Sequence, residues 1–259
     1  MKSVPYPILD INHLTVEYPS GSFNPFHRKR KTAVTDITIQ IQTGECFAVF
    51  GESGCGKSSL INAILAFAPV TQGTILFDNQ NLLHLYASNP RRVRPLIQPV
   101  FQNFHQALNP RRRIGSLFKE IHSIYPGRPD PAELFQRVGL SRAVLNAYPH
   151  QLSGGQQQRI GIARALATNP KLLLLDEPVT SLDLSIAARI LVLLKSLQKD
   201  QGLTYLLVSH NFAILRLLAD RVAVMRDGHI LEISPPGQLL ASPKHDYTKN
   251  ILAKSSIVC

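Results

Sequence analysis

Cysteine, acidic side chains and long apolar runs are all scarce in this chain, and each scarcity removes a class of protein. Only three cysteines occur among 259 residues, Cys46, Cys55 and Cys259. They form no C-x-x-C pair and no metal-ligand spacing. Neither a disulfide scaffold nor a zinc module is expected, and free thiols in a reducing compartment are. No apolar run approaches the roughly 18–20 residues that cross a bilayer. The N-terminal MKSVPYPILD has no apolar stretch of signal-peptide length after Lys2, so the chain is expected to stay in the cytosol. Internal repeats and low-complexity linkers are absent too. Asp and Glu number 17 against 28 Lys and Arg, a formal charge of +11. The excess base gathers in His27–Lys31 (HRKRK), Arg91–Arg94 (RRVR) and Arg111–Arg113 (RRR). Such clusters attract nucleic acid or an anionic membrane surface, or simply solvate a surface. No aromatic platform of the RNP kind accompanies them, which weakens the nucleic-acid reading.

What remains describes a globular protein: 44% hydrophobic and 17% charged residues, enough to bury a core in one large domain or two small ones. Ile8–Val16 and Val34–Ile41 alternate like strands, with a Pro-, Gly-, Ser- and base-rich loop, Pro19–Lys31, between them. Cys46–Phe50 is a short apolar strand running into glycine, and Ser58–Ala68 is expected as a helix. Thr74–Phe77 and Leu96–Phe101 read as strands. From Asn103 to about Gly139 the pattern becomes short helical pieces broken by prolines, an insertion into the core. Leu172–Leu175 and Thr204–Val208 are buried strands; Ile186–Lys199 and Phe212–Ala219 are helices. Val222–Met225 and Ile230–Ile233 flank Asp227-Gly228, a two-residue hairpin signal. Apolar strands alternating with helices predict an α/β fold whose mostly parallel sheet is covered on both faces.

Three stretches carry chemistry. Gly51–Ser58 reads GESGCGKS, a match to G-x-x-x-x-G-K-[ST], with a strand before it and a helix after it. Its glycines let backbone N–H groups converge on phosphates, Lys57 sets a charge against the β- and γ-phosphates, and the Ser58 hydroxyl suits Mg²⁺. Alone this says only that a nucleoside triphosphate binds. Lys171–Pro178 reads KLLLLDEP. Two carboxylates emerge at the C-terminal end of a buried strand, where ligands of open α/β sheets sit. Asp176 is placed to hold Mg²⁺ directly or through water, and Glu177 to orient the attacking water or take its proton. Leu152–Arg159 reads LSGGQQQR and runs into an apolar helix pattern. Ser153, Gly154 and Gly155 stand at the helix start, where unpaired N–H groups and the dipole favour an anion.

GESGCGKS, LSGGQQQR, LLLLDEP and the later VSH (Val208–His210), in this order and spacing, make the chain resemble the ATP-binding subunit of an ABC transporter over essentially its whole length. The resemblance implies a RecA-like P-loop NTPase core with an antiparallel β subdomain. It also implies an inserted α-helical signature subdomain over about 103–165 and a short tail over about 235–259, all within one domain, 1–259. It implies ATP and Mg²⁺ as cofactors. Gly51, Glu52, Ser53, Gly54, Cys55, Gly56, Lys57, Ser58 and Ser59 would cradle the phosphates, and Tyr18 would stack on adenine. Gln102 would reach Mg²⁺ and the attacking water; Gln98 is a rival by type but sits mid-strand. His210 would contact the γ-phosphate. Ser181-Leu182-Asp183 would link two subunits facing head to tail, so that Ser153, Gly154, Gly155 and Gln156 close over the partner's ATP.

Gln102–Arg112 (QNFHQALNPRR), Tyr148–Arg164, the basic loop and Ser242–Asn250 (SPKHDYTKN) resemble the peptide and nickel importer branch. Asp246 replaces a proline usual there, which puts the local turn in doubt. The chain stops at Cys259, short of a cysteine-bearing extension common among peptide importers, and this leans slightly toward nickel or metal-chelate uptake, or a minor peptide system. The branch implies two transmembrane permeases, a second ATP-binding subunit (sister or self) and an extracytoplasmic solute-binding protein, with this chain peripheral on the cytoplasmic face of the inner membrane. Asn103–Arg113 is the expected docking segment onto a permease. The competing reading is a soluble ABC-type ATPase acting on nucleic acid or the ribosome. It lacks the second cassette or coiled-coil insertion usual for that class, and no nucleic-acid partner is expected.

Overall fold

The computed structural model describes residues 6–19, 30–102, 108–180 and 182–256. In chain order the elements are β1 (Leu9–Pro19), β2 (Arg30–Ile41), β3 (Cys46–Phe50), α1 (Lys57–Ile64), β4 (Val70–Phe77), β5 (Gln80–Asn81), α2 (Leu82–Ser88) and α3 (Pro90–Val93). There follow β6 (Ile97–Val100), α4 (Ile114–Ile124), α5 (Pro131–Arg137), α6 (Gly154–Leu166), β7 (Leu172–Asp176), α7 (Leu184–Gln201), β8 (Thr204–Ser209), α8 (Phe212–Leu218), β9 (Arg221–Arg226), β10 (His229–Ser234), α9 (Pro236–Ala241) and α10 (Asp246–Ser256). They form two compact units: one runs to Pro90 and resumes at Thr204, the other is Arg91–Leu203.

The first unit holds two sheets. The antiparallel one has the order β2-β1-β4-β5. Its inward stripe, Leu9, Ile11, Leu14, Val16, Ile37, Ile39 and Ile41, is fully or almost fully buried, as period-2 alternation requires. In the other sheet β3 pairs in parallel with both β8 and β9, and β9 pairs antiparallel with β10. Asp227 and Gly228 turn that hairpin with φ of 47° and 84°, the positive pair that a two-residue turn demands. The continuous runs CFAVF and TYLLVS are buried throughout because helices cover both faces of such strands. In the second unit β6 and β7 pair in parallel from Ile97↔Leu172 to Val100↔Leu175. Leu172–Leu175 are fully buried, and each buried leucine contributes about 1.5–3 kcal/mol. Phe118 of α4 and Phe135 of α5 meet edge to face at 5.0 Å in the core of that unit's helical part.

Four expectations shift. The helix expected over Ser58–Ala68 is shorter, since Pro69 disfavours helical geometry at Ala68. It ends at Ile64 in a turn whose Phe67 and Ala68 N–H groups both reach the Asn62 carbonyl. The strand at Thr74–Phe77 begins earlier, at Val70. The Asn81 side chain caps an unanticipated helix, α2, by accepting from the His84 N–H. The tail over about 235–259 contains two helices.

Asp246 opens α10 rather than disrupting it, pairs with Lys249 at 2.9 Å and suits the positive end of a helix. The anchor of α10 is Glu232 of β10, which accepts from the N–H groups of Lys244 and His245 and from the Thr248 hydroxyl. Burial pushes the Glu232 carboxyl up, but these three donors outweigh it and hold it below the usual carboxylate value. Its contribution is complete above the unfolded value near 4.3 and is lost as pH falls through the lower folded value. Glu232→Gln, which keeps the volume but weakens all three bonds, is expected to cost about 1–3 kcal/mol in a denaturant titration at neutral pH. The difference from the parent should shrink as pH falls below the unfolded value and through the lowered value of the folded carboxyl.

Candidate functional site

In the first unit, Gly51–Ser59 joins the end of β3 to α1. The loop curls so that the Cys55 N–H reaches the Glu52 carbonyl at 3.3 Å. Gly56 caps α1 with a φ of 115°. A Cβ there would lie 2.3 Å from the Ala33 carbonyl oxygen and 2.6 Å from Met225 Cε, so only glycine fits. Those same contacts brace the loop from the β2 and β9 sides. The β9–β10 turn adds another brace, a bond from the Gly228 N–H to the Cys55 carbonyl at 2.9 Å.

Lys57 is 7% exposed, and its ammonium donates to the carbonyls of Gly51 (2.8 Å) and Glu52 (2.9 Å), with Cys55 Sγ at 3.8 Å. Burial pushes the Cys55 thiol up despite the adjacent ammonium, so it stays a neutral neighbour. A buried cation resting on neutral acceptors beside the N-terminus of a helix is poised for an anion. Ser58 is exposed on the first turn of α1. Phe50 pairs with Ser209 in the parallel register, so Gly51 and His210 leave the sheet at the same level. His210 is exposed there. Tyr18 lies on β1, opposite Lys31 of β2 and past Val16↔Val70, the last pair with β4. Its side chain is half-exposed, which leaves a ring face to stack upon.

In the second unit, Asp176 ends β7, half-buried, and Glu177 follows with a φ of 47°. That left-handed geometry is costly for a side chain other than Gly, Asn or Asp, and such strain gathers at functional positions. The Thr180 hydroxyl donates to Glu177 Oε2 at 2.7 Å. Gln102 is exposed and stands two residues beyond Val100, as Glu177 stands two beyond its partner Leu175, so both leave the sheet at one level. Gln98 instead spends its amide on the Arg94 carbonyl at 2.7 Å.

Ser153 caps α6 in a reciprocal box. Its hydroxyl accepts from the Gln156 N–H at 3.3 Å, and Gln156 Oε1 accepts from the Ser153 N–H at 2.9 Å. The hydroxyl proton is left to donate outward, and Gly154 N–H points from the exposed first turn. Gly155 lies where a Cβ would come within 2.6 Å of Ile186 Cγ2, so the start of α6 packs against the first turn of α7, next to exposed Asp183 at its N-cap.

Within each unit, then, the sequence-derived residues converge: Gly51–Ser59 with His210 at one sheet edge, Gln102 with Asp176 and Glu177 at another. Asn103–Ala107 of the docking segment, residues 20–29 of the basic loop, Ser181 and Cys259 lie outside the described residues. Thr180 was missed by sequence reasoning. Its signal was a hydroxyl three residues after the glutamate, a common local bonding distance. Ala33 and Met225 were missed as well, and nothing local marks them.

Among the described residues no cluster of three or more His, Cys, Asp or Glu could hold a metal ion. The exposed Ser58 hydroxyl on the first turn of α1 suits Mg²⁺, which keeps waters and substrate phosphates as its other ligands. Among the described residues no helix is long and apolar enough to cross a membrane.

A protein-family model described as ABC transporter matches residues 34–180. The chain is 39% identical over 256 residues to the oligopeptide transport ATP-binding protein OppF of Haemophilus influenzae, covering 95% of this chain and 77% of that one. It is 41% identical to AppF, also an oligopeptide transport ATP-binding protein, of Bacillus subtilis, again over 95% of this chain and 77% of the relative. Among solved structures, the dimeric ATP-binding cassette MJ0796 in a post-hydrolysis state with ADP and phosphate superposes with a TM-score of 0.74. That match has 30% identity over 88% of this chain and 98% of the other.

Proposed function

The chain belongs to the ABC transporter ATP-binding family, and we propose that it is the ATP-hydrolysing subunit of an importer that drives peptide uptake from the cytoplasmic face of the inner membrane. The observation that carries this is the buried Lys57 ammonium, held by neutral carbonyls in a glycine loop at the start of α1. Peptide is favoured over nickel or a metal chelate because relatives that align with 95% of this chain are named for oligopeptide transport. The chain reads as one cassette, 1–259, with its signature helices over about 103–165.

Each residue then has a task. Tyr18 stacks on adenine. Gly51, Glu52, Ser53, Gly54, Cys55, Gly56 and Ser59 wrap the phosphates with backbone N–H groups. Lys57 exchanges its carbonyl partners for β- and γ-phosphate oxygens. Ser58, Asp176 and Gln102 would hold Mg²⁺, which supplies charge neutralisation at the phosphates when bound. Glu177, aimed by Thr180, orients the attacking water and accepts its proton. Gln102 and His210 reach the γ-phosphate end. Transfer needs only positioning and charge stabilisation.

The second anion-ready loop, Ser153–Gln156, reads the partner's nucleotide. The hydroxyl of Ser153 and the first N–H groups of α6 close over the γ-phosphate of a facing ATP-binding subunit, and Asp183 links the two halves. Two transmembrane permeases and an extracytoplasmic solute-binding protein complete the assembly. Leu108, Asn109, Arg112 and Arg113 line a groove with Leu117 and Pro149 and belong to the segment that docks a permease. The net charge of +11 suits work beside an anionic leaflet.

Ser153→Arg tests this division of labour. ATP binding to the isolated subunit should stay within about twofold, because no contact to its own nucleotide is removed, while ATPase turnover of the assembled transporter should fall by about tenfold or more. Equal loss in both would show that the loop serves its own chain.

A further inference from the structure

In the second unit, the helical part spends its acids away from one cavity. Glu120 pairs with Arg112 at 3.3 Å and Glu133 with Arg137 at 3.9 Å. The Asp130 carboxylate accepts from the Ala132 N–H and caps α5. Residues from the start of α4 and from the short helical turn Arg142–Asn146 line a cavity of about 450 Å³. Arg113, Lys119 and Arg142 are in that lining, and no carboxylate is. Among the described residues none of these three cations pairs with an acid.

The backbone favours the same sign of ligand. Arg113 stands at the N-cap of α4 without a side-chain bond to the first turn, and that turn holds no acidic residue. The positive end of this 11-residue helix therefore adds to the charge of the three side chains. Gly115 lets the two elements close on each other, since a Cβ there would lie 2.8 Å from the Leu145 carbonyl oxygen. The Ile114 N–H donates to the Ala147 carbonyl at 3.0 Å and fixes that approach. The Arg113 guanidinium lies over the Tyr148 ring at 5.7 Å, which steadies it. The Asn146 amide joins the lining as a neutral donor. Like charges gathered around one cavity repel each other, and an anion placed among them relieves that repulsion.

We propose that this cavity is a second anion site, which binds a phosphate-bearing ligand through Arg113, Lys119 and Arg142. Guanidinium and ammonium donors match phosphate oxygens, and a cavity of this size admits a phosphate together with the group that carries it. An anion held there ties α4 to the segment that leads through Tyr148 to the Ser153 cap. A free polyphosphate and a phospholipid headgroup offer the same chemistry. The cavity needs no nucleotide at Gly51–Ser58 in order to bind.

Lys119→Gln combined with Arg142→Gln removes two charges from exposed positions that do not line the Leu117–Pro149 groove. Surface changes of this kind leave a fold intact. The first arm is a calorimetric titration of inorganic pyrophosphate into the full chain without Mg²⁺, with Lys57→Ala added to silence the glycine loop. The second is cosedimentation with phosphatidylglycerol vesicles, compared with phosphatidylcholine vesicles. At low salt the double variant should bind about tenfold or more weakly. Arg112→Gln combined with Arg137→Gln removes as many charges, but from cations already paired with Glu120 and Glu133, and should change binding by no more than about twofold. Pyrophosphate binding that the first double variant loses identifies a free anion as the ligand. Sedimentation with the anionic vesicles alone, lost in the same variant, identifies a headgroup. Binding in neither arm, binding that Lys119→Gln with Arg142→Gln retains, or an equal loss in the paired-cation control would overturn the proposal.

Discussion

Lys57→Ala is expected to cut ATP turnover by about a hundred- to thousandfold, the loss that follows removal of one preorganised charge-stabilising donor. Lys57 as a whole is 7% exposed, so its charge acts through little screening solvent. Its partners in the free loop are neutral, two carbonyls and a thiol. Among the described residues no carboxylate pairs with it to compete with phosphate for the charge. The fold should survive the change, because alanine removes the buried cation together with its desolvation cost, and the loop keeps its braces from Ala33, Met225 and Gly228. Steady-state phosphate release and a melting curve on the same sample check this. Turnover near the parental rate in a folded variant would remove Lys57 from the site.

Glu177→Gln should separate binding from chemistry. The amide keeps the size of the carboxylate and can still meet the Thr180 hydroxyl, so ATP affinity should stay within about threefold. It accepts no proton from water, and turnover should fall by about a hundred- to ten-thousandfold, the range for loss of a general base. Nucleotide retained by the variant should therefore be ATP, not ADP, when extracted and separated. The variant also prolongs whatever assembly ATP sustains.

Much of this site is legible from local sequence because its physics is local. A glycine loop must follow an apolar strand to turn N–H groups on phosphates, and CFAVF-GESGCGKS shows both halves. The LLLLDEP run places its carboxylates at a strand end because four leucines fill a buried strand and cannot continue into solvent. Asp227-Gly228 needed only two residues to specify its turn. What stayed hidden depends on residues distant in sequence. Ala33 and Met225 brace Gly56 through contacts with no local pattern. Lys254 meets Glu52 from 202 positions away, and a segment read as a tail became a helix resting on Glu232. The early end of α1 is legible in Pro69, which disfavours helical geometry at the residue before it.

The central claim is that the Ser153–Gln156 loop reads a nucleotide held by another subunit. Light scattering of the Glu177→Gln chain with its partner ATP-binding subunit, with and without Mg-ATP, tests it most directly when Ser153→Arg is then added to the same chain. The account predicts that ATP raises the scattering mass to that of the paired subunits, and that Ser153→Arg abolishes this rise while ATP remains bound. Absence of any ATP-dependent association, or association that Ser153→Arg leaves intact at the same ATP concentration, would contradict it.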